Sequence, residues 1–310
     1  MATTTTSTRT ESFTISTAPK DGEGNGRKNT SLNPSGDPGL AFPDDDQTLP
    51  PVFTDKYKER QFLKHRLALA FRIFGKHGFG EGVAGHITLR DPIDPNTFWV
   101  NPFGMDFSLI TEDDLILVDS NGKVIDGGRN RLLNYAAFAI HSEIHHANPK
   151  IMCAAHSHSL WGRAFCATGR ELQMLSQDAC VFYKDHAVYR NFAGVVLDAE
   201  EGRHIAACLG KKKALILANH GLLTAGATIE EVVAWFILFE KVCHNQLIAD
   251  ASSAGSGVPL VEIGPAEAQS TWEALGHSRA GYFMGLPKFQ VAEWEEFGER
   301  TFLGKGLEPL

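Results

Sequence analysis

The segment AAHSHSLWGRAF, residues 154–165, joins an apolar run to two histidines separated by a single residue. The apolar run that leads into it, from Ile151 to Ala155, is typical of a buried β-strand. Side chains at positions i and i+2 of a strand point to the same face, so the imidazoles of His156 and His158 can reach one ion. This segment therefore predicts a strand that delivers two candidate metal ligands at its end.

A second motif, ILANHGLLTAG at residues 216–226, repeats this arrangement with one histidine. The strand expected at residues 214–217 delivers His220, and Gly221 lets the backbone turn sharply away from it. Three neutral imidazoles that leave one coordination position open form the ligand set of a catalytic zinc site. A lone histidine is more often a hydrogen-bonded core residue, and the two motifs together weaken that alternative without removing it.

The rest of the chain alternates helical and strand patterns. Apolar positions at helical spacing predict helices at residues 55–77, 132–147, 200–209 and 229–251, with a further helix from residue 164. Strand patterns occur at 86–89, 98–100 and 115–118, and a tight turn follows at Asn121-Gly122. Several strands follow one another through tight turns, so we expect one α/β domain with a mixed or largely antiparallel sheet between helices.

Composition divides the chain into three parts. Residues 1–48 are dominated by Thr, Ser, Gly, Asn, Asp and Pro, with almost no large apolar residues, which predicts a disordered segment. The folded domain is expected over residues 51–255. Residues 256–310 carry aromatic residues without a clear period, and we expect them to contact the domain or a neighbouring subunit.

The overall composition limits the classes of partner and compartment. The 310 residues have a formal net charge of −8, with 43% hydrophobic and 21% charged residues. This balance is typical of a globular protein and argues against nucleic acid or an anionic membrane as partner. The sequence shows neither an apolar run of about 20 residues nor a secretory signal pattern. Its five cysteines lie in apolar stretches without a CxxC pair, which favours a reducing compartment, by default the cytoplasm.

Five motifs, in order and spacing, resemble those of the class II aldolase/adducin family. Besides the two histidine motifs, they are GVAGHITLR (82–90), WVNPFG (99–104) and LILVDSNGKV (115–124). The matching region runs from Glu81 to Ala251. Because several motifs occur in the family's order and spacing over this length, the resemblance is specific.

The resemblance implies a three-layer α/β/α fold and a small-molecule substrate. Known members are commonly homo-oligomers, often tetramers with the site near a subunit interface. Family enzymes bind a divalent metal, usually zinc, and the resemblance assigns its ligands to His156, His158 and His220.

The sequence departs from the phosphosugar aldolases of the family at several pocket positions. The resemblance places their glutamate, a metal ligand and acid/base group, at Ala137, which offers neither a ligand atom nor a proton. Their phosphate-binding positions and the polar residues of the first Gly-rich turn become Tyr135, Ala136, Phe103, Val83 and His86. Because phosphate binding needs several convergent donors, a phosphorylated sugar is not the expected substrate.

Substrate contacts are expected from His86, Tyr135, Asn101, Phe103 and Gly104. Without the family glutamate, an acid/base group has to come from another position. Candidates are His186 beside Asp185, Gln177 near the position of the family's late tyrosine proton donor, and His141 one helical turn from Ala137. The alternatives are a surface loop position for His186 and packing in the core for His141.

Three functional hypotheses remain open from the sequence. The first is a metal-dependent lyase, with zinc as the expected ion, that cleaves or decarboxylates a non-phosphorylated oxo- or hydroxy-acid. The second binds Fe(II) through the same histidines, because residues 176–189 resemble a subgroup that includes non-haem iron oxygenases acting on aromatic 2-oxo acids. The third is an adducin-like interaction protein without catalysis, although such relatives typically lose metal histidines.

Overall fold

The structure is a computed structural model that describes residues 49–192, 194 and 199–298. The disorder predicted for residues 1–48 and the end of the C-terminal segment lie outside the described residues. The helices are α1 (Lys56–Lys76), α2 (Tyr135–Ala147), α3 (Leu160–Cys166), α4 (Ala199–Leu209), α5 (Ile229–Ser256), α6 (Pro265–Leu275) and α7 (Ser278–Phe297). The strands are β1 (His86–Arg90), β2 (Thr97–Val100), β3 (Ile116–Asp119), β4 (Val124–Gly127), β5 (Cys153–Ser157), β6 (His186–Tyr189), β7 (Ala214–Leu217) and β8 (Gly221–Gly226).

The eight strands form one sheet in the order β4-β3-β2-β1-β5-β8-β7-β6. Every neighbouring pair is antiparallel except β6 and β7, which are parallel. The prediction of a mixed, largely antiparallel sheet is confirmed. At the centre, His86 of β1 pairs with His156 of β5, and Leu223 of β8 pairs with His156 on the other side.

Helices cover both faces of the sheet, because apolar side chains on both faces of its central strands are buried. In β7, Ala214 and Ile216 belong to a core shared with α1 and α5, whereas Leu215 and Leu217 belong to a second core shared with α2 and α4. Strands buried on both faces read as continuous apolar runs rather than as alternating patterns. The three-layer α/β/α architecture is therefore confirmed.

The long helix α5 forms the centre of the larger core. Its Thr228 cap accepts a hydrogen bond from the Glu231 amide, and the helix contacts β5, β8 and α7. By length and composition alone α5 could cross a membrane, but 56% of the relevant stretch is buried inside the fold. Burial against the sheet accounts for its apolar sequence.

The C-terminal region forms two helices that the sequence pattern did not reveal. Helix α7 contacts α5 and α1 of the same chain. Lys213 joins α6 to the sheet, because its buried ammonium donates to the Gly276 carbonyl at 2.5 Å and pairs with Asp185 at 2.9 Å. The Trp272 indole donates to the same carboxylate at 3.0 Å. In the described residues, therefore, this region packs on its own domain.

Candidate metal centre

The three predicted metal ligands converge at one end of the central strands. His156 lies in β5, His158 follows that strand directly, and His220 lies in the turn between β7 and β8. Their candidate ligand atoms all lie within 4.8 Å of one another. Because all three lie in or directly beside the paired strands β5 and β8, strand pairing brings them together.

The chemistry of these side chains suits a divalent ion. The Nδ1 of His156 donates to the Leu222 carbonyl at 2.8 Å, which leaves Nε2 as the ligand atom. Burial lowers the pKa of His156 well below its ordinary value. Burial also lowers the pKa of His220 to about 4 and, together with the nearby Arg163, the pKa of His158. All three imidazoles are therefore neutral at pH 7, the form that binds metals.

The turn that carries His220 has two specialised backbone positions. Asn219 adopts a φ of 60°, a left-handed conformation that asparagine tolerates better than most residues. At Gly221 an added Cβ would lie 2.6 Å from the Ser157 carbonyl oxygen and 3.1 Å from His156 Cε1. Glycine is therefore required here because the turn lies directly against the histidine pair.

A cavity of about 410 Å³ opens next to the three histidines. Its wall is largely apolar, and the residues that contribute to it come mainly from the first Gly-rich turn, the start of α2 and α3. The lining residues are Val83, Ala84, Gly85, His86, Phe103, Asn134, Ala136, Ala137, Ile140, His156, His158, Arg163, Phe192, Gly194, Asn219 and His220. Ala137, the position of the family glutamate, thus borders the cavity, and its methyl group supplies no ligand.

The predicted substrate contacts divide into two groups. His86 and Phe103 line the cavity, and Asn101, Gly104 and Tyr135 do not. The Tyr135 side chain is 66% exposed at the start of α2. The Asn101 amide contacts the adjacent Pro102 carbonyl at 3.5 Å. For these three residues the structure gives no contact with the cavity of their own chain.

The structure places His186 away from the cavity. This residue begins β6, where its Nδ1 donates to the Phe182 carbonyl at 2.8 Å and its Nε2 accepts from the Leu172 amide at 3.1 Å. Both ring nitrogens are therefore occupied by backbone groups, and the side chain does not line the cavity. Gln177 is exposed and also lies outside the lining residues.

His141 belongs to a buried chain of polar side chains behind the cavity. His145 Nδ1 donates to the Ile151 carbonyl at 3.1 Å, so the neutral ring accepts at Nε2 from the Thr88 hydroxyl at 2.8 Å. Because the Thr88 hydroxyl donates its single proton to His145, the same oxygen accepts from His141 Nδ1 at 2.8 Å. His141 Nε2 is then an acceptor without a partner, next to the His86 ring at a centroid distance of 3.8 Å.

His86 links this chain to the cavity. It is 3% exposed, and neither ring nitrogen has a hydrogen-bond partner in the described residues. Burial lowers the pKa of His86 to about 3, so the ring is neutral. An unpaired polar group at this depth is costly unless a ligand or water satisfies it. Among the residues predicted to contact a substrate, His86 is therefore a lining residue whose buried ring nitrogens call for a hydrogen-bond partner from a ligand or water.

Arg163 lines the cavity but did not stand out in the sequence. It follows the histidine pair within HSHSLWGRAF, and its guanidinium pairs with Glu81 at 3.2 Å. The helix predicted from residue 164 excluded Arg163, whereas the structure begins α3 at Leu160 and includes it.

Comparison with known proteins gives consistent matches. A family profile described as "Class II Aldolase and Adducin N-terminal domain" matches residues 65–247. Decarboxylase NovR of Streptomyces niveus is 45% identical over 244 residues, which are 78% of this chain and 88% of that protein. The 4-hydroxy-3-prenylphenylpyruvate oxygenase/4-hydroxy-3-prenylbenzoate synthase of Streptomyces roseochromogenus is 44% identical over 236 residues, or 75% and 82% of the two chains.

Among solved structures, L-fuculose 1-phosphate aldolase from Glaciozyma antarctica is similar with a TM-score of 0.75 and 45% sequence identity. The match covers 83% of this chain and 98% of that chain. Proteins named for different activities are therefore similar to this chain at nearly the same level of identity.

Replacement of a ligand histidine tests the metal centre. We expect His156→Ala and His220→Ala each to lower zinc affinity by more than about 100-fold, because even loss of an outer partner of a metal ligand costs 10–100-fold. The measurement is zinc per chain by elemental analysis after dialysis against a defined zinc buffer. His204→Ala, on the exposed side of α4, is the control and should keep wild-type zinc. Full zinc occupancy in either ligand variant would refute the assignment.

The packing at Gly221 predicts opposite effects of one methyl group at two glycines. Gly221→Ala should destabilise the fold by about 1–3 kcal/mol, as overpacking does, and should weaken zinc binding because it displaces His156. Gly255→Ala meets no atom within 4 Å in the last turn of α5 and should stabilise slightly. Urea unfolding measures the stability of both variants, and zinc titration measures their zinc affinity. Equal stability of the two would contradict the close approach at Gly221.

The buried histidine chain predicts an acid-sensitive stability. Burial, followed by the charge of Arg90, lowers the pKa of His145 to about 3 from an ordinary 6.5. Between these values the unfolded chain binds a proton that the folded chain does not, so stability falls as pH decreases through this window. His145→Gln should reduce the slope by up to about 1.4 kcal/mol per pH unit. Urea unfolding of metal-free protein between pH 7 and 5 measures the slope. His204→Gln should retain the wild-type slope, and an unchanged slope in His145→Gln would contradict the buried neutral state.

Proposed function

Because the chain belongs to the class II aldolase and adducin family, we propose that it is a metal-dependent lyase for a non-phosphorylated oxo- or hydroxy-acid. The reaction would be C–C cleavage or decarboxylation. The observation that carries this proposal is the set of three convergent neutral histidines beside an apolar cavity. A bound divalent ion, zinc in this proposal, supplies Lewis-acid polarisation of a carbonyl or enolate oxygen. The relative named decarboxylase NovR supports this class of reaction.

The charge of the ligand set favours an anionic substrate. His156, His158 and His220 contribute no negative charge, and Ala137 stands where the sugar aldolases of the family supply a carboxylate. A divalent ion held by three neutral ligands in a largely apolar cavity therefore lacks a counter-charge from the described lining residues. A substrate that brings its own carboxylate compensates this charge, which a neutral sugar does not.

The lining also argues against a phosphorylated sugar, although a structural neighbour is named as a fuculose phosphate aldolase. Positions that bind phosphate in such family members are here Ala136 and Phe103, and Val83 replaces a polar residue of the first turn. Apolar side chains cannot supply the converging donors that a phosphate needs. The same replacements enlarge the apolar surface available to an aromatic or prenylated group.

His86 is the residue of this chain that we assign to the reacting oxygen of the substrate. Its unpaired ring nitrogens lie at the cavity wall, next to His156 with ring centroids 5.4 Å apart. A hydrogen bond to a substrate oxygen satisfies the buried ring and orients the substrate beside the three ligand histidines.

A second candidate function is a non-haem iron oxygenase that acts on an aromatic 2-oxo acid. The observation that favours it is the 44% identity to a protein named as a 4-hydroxy-3-prenylphenylpyruvate oxygenase. Three protein ligands with open positions suit Fe(II) as well as zinc. An adducin-like interaction protein is the non-catalytic alternative.

We also propose a homo-oligomer, with a tetramer as the specific form, that covers the cavity mouth. Two of the apolar residues that line the cavity are exposed, Val83 at 56% and Phe192 at 54%. Exposed apolar clusters of this kind mark interaction surfaces. The molecular mass of the protein in solution tests this proposal.

All five cysteines are unpaired, which supports a reducing compartment, and we propose the cytoplasm.

Metal analysis of protein purified anaerobically without chelators tests the function. We expect about one zinc per chain and turnover of an oxo- or hydroxy-acid without O₂, since the lyase needs no oxidant. Stoichiometric iron with O₂ uptake on 4-hydroxyphenylpyruvate would replace the lyase with the oxygenase. Absence of both metals from folded protein, with no stability change on chelation, would support the adducin-like alternative.

A further inference from the structure

Arg163 is the single formally charged residue among the described residues that line the cavity. The other ionisable lining residues are His86 and the three candidate metal ligands. The guanidinium lies close enough to His158 to lower the pKa of that imidazole. The cavity therefore has one fixed positive side chain beside the candidate metal ligands.

The backbone of α3 holds Arg163 in a fixed place relative to these ligands. At the start of the helix, the buried Glu240 carboxylate accepts from the Ser159 hydroxyl, from the Trp161 amide at 2.9 Å and from the Gly162 amide at 2.7 Å. At its end, the Cys166 carbonyl accepts from the Asn219 amide at 3.2 Å. Helix α3 is thus fastened to α5 and to the turn that carries His220. Such fastening is what a preorganised binding residue requires.

The partner of Arg163 is easily exchanged. Glu81 lies in the Gly-rich turn that also supplies the lining residues Val83 and Ala84, and the side chains of Glu81 and Arg163 are 49% and 40% exposed. An ion pair exposed to this extent contributes little to stability. A carboxylate inside the largely apolar cavity gains more from the guanidinium than the exposed Glu81 does, because water screens the attraction less there. The planar guanidinium has five N–H donors, which suits two-point binding of a carboxylate.

We propose that Arg163 is the receptor for the substrate carboxylate, and that Glu81 occupies the guanidinium until the substrate displaces it. This inference rests on the proposed acid substrate and deepens it, because it assigns the acidic group to one residue. Arg163 selects for the carboxylate, and Glu81 opposes binding by competition. The two residues therefore have opposite effects on the same ligand.

The test measures binding of a matched pair of ligands to zinc-loaded protein by calorimetry. Mandelate is an aromatic 2-hydroxy acid, and mandelamide is its uncharged counterpart. Arg163→Gln should weaken mandelate binding by about tenfold or more, the worth of a charge-assisted hydrogen bond, and should leave mandelamide unchanged. Glu81→Gln should strengthen mandelate binding. Arg170→Gln is the matched control, because Arg170 is similarly exposed and pairs with Asp250 at 2.5 Å away from the lining residues.

The outcomes separate this inference from the proposed function. Zinc content is measured first, and Arg163→Gln should keep wild-type zinc because Arg163 is not a ligand. If zinc binds but mandelate does not bind, or if it binds equally to wild type and Arg163→Gln, the receptor role is refuted and the metal centre stands. Inorganic phosphate is titrated in parallel. If it binds through Arg163 more tightly than mandelate does, the carboxylate assignment is overturned in favour of a phosphorylated substrate.

Discussion

The antiparallel pairing of β5 with β8, closed by the turn before Gly221, is the constraint on which the site depends. Pairing places His156 opposite Leu223, and the Leu222 carbonyl then orients the His156 ring. The turn lies so close to β5 that only glycine fits at position 221. Because hydrogen bonds of the sheet fix these positions, the three imidazoles are held together before any ion binds, and binding needs little reorganisation.

The same pairing also determines what surrounds the histidines. In the turn that carries His220, the Asn219 amide donates to the Cys166 carbonyl at the end of helix α3. This contact helps to hold Arg163 of α3 at the cavity. On the other side, pairing of β1 with β5 brings His86 beside His156 and directs Thr88 toward α2. The ligand set, the cationic side chain and the buried histidine chain therefore derive from one region of the sheet.

The position of charge distinguishes this cavity from that of a phosphosugar aldolase. A carboxylate at position 137 would neutralise part of the ion's charge and supply a proton-transfer group, and alanine does neither. The described lining keeps neutral histidines and one arginine, which is why the proposed function assigns the compensating negative charge to the substrate. Relatives named for different activities are similar to this chain, as expected when a family keeps one fold and changes the side chains around its site.

Local patterns in the sequence determined the elements whose signal is contained in a few neighbouring residues. Spacing of apolar residues predicted α1, α2, α4, α5 and the strands β1, β2, β3, β5 and β7. The strand-end motifs indicated three candidate histidines, and the family resemblance assigned them to one metal. Helices α6 and α7 and strand β6 lacked such a signal. Their burial depends on partners distant in sequence, such as the contact of Lys213 with Gly276.

Tertiary structure alone decided the roles of the remaining polar residues. His186 and His86 look alike in sequence, but backbone groups occupy both nitrogens of the first and neither nitrogen of the second. Arg163 became a cavity residue only because α3 is fastened at both ends by distant groups. Strand and helix periodicity is a local property of the chain, whereas hydrogen-bond satisfaction and charge at a cavity depend on which segments meet, and that is fixed only when the sheet and helices assemble.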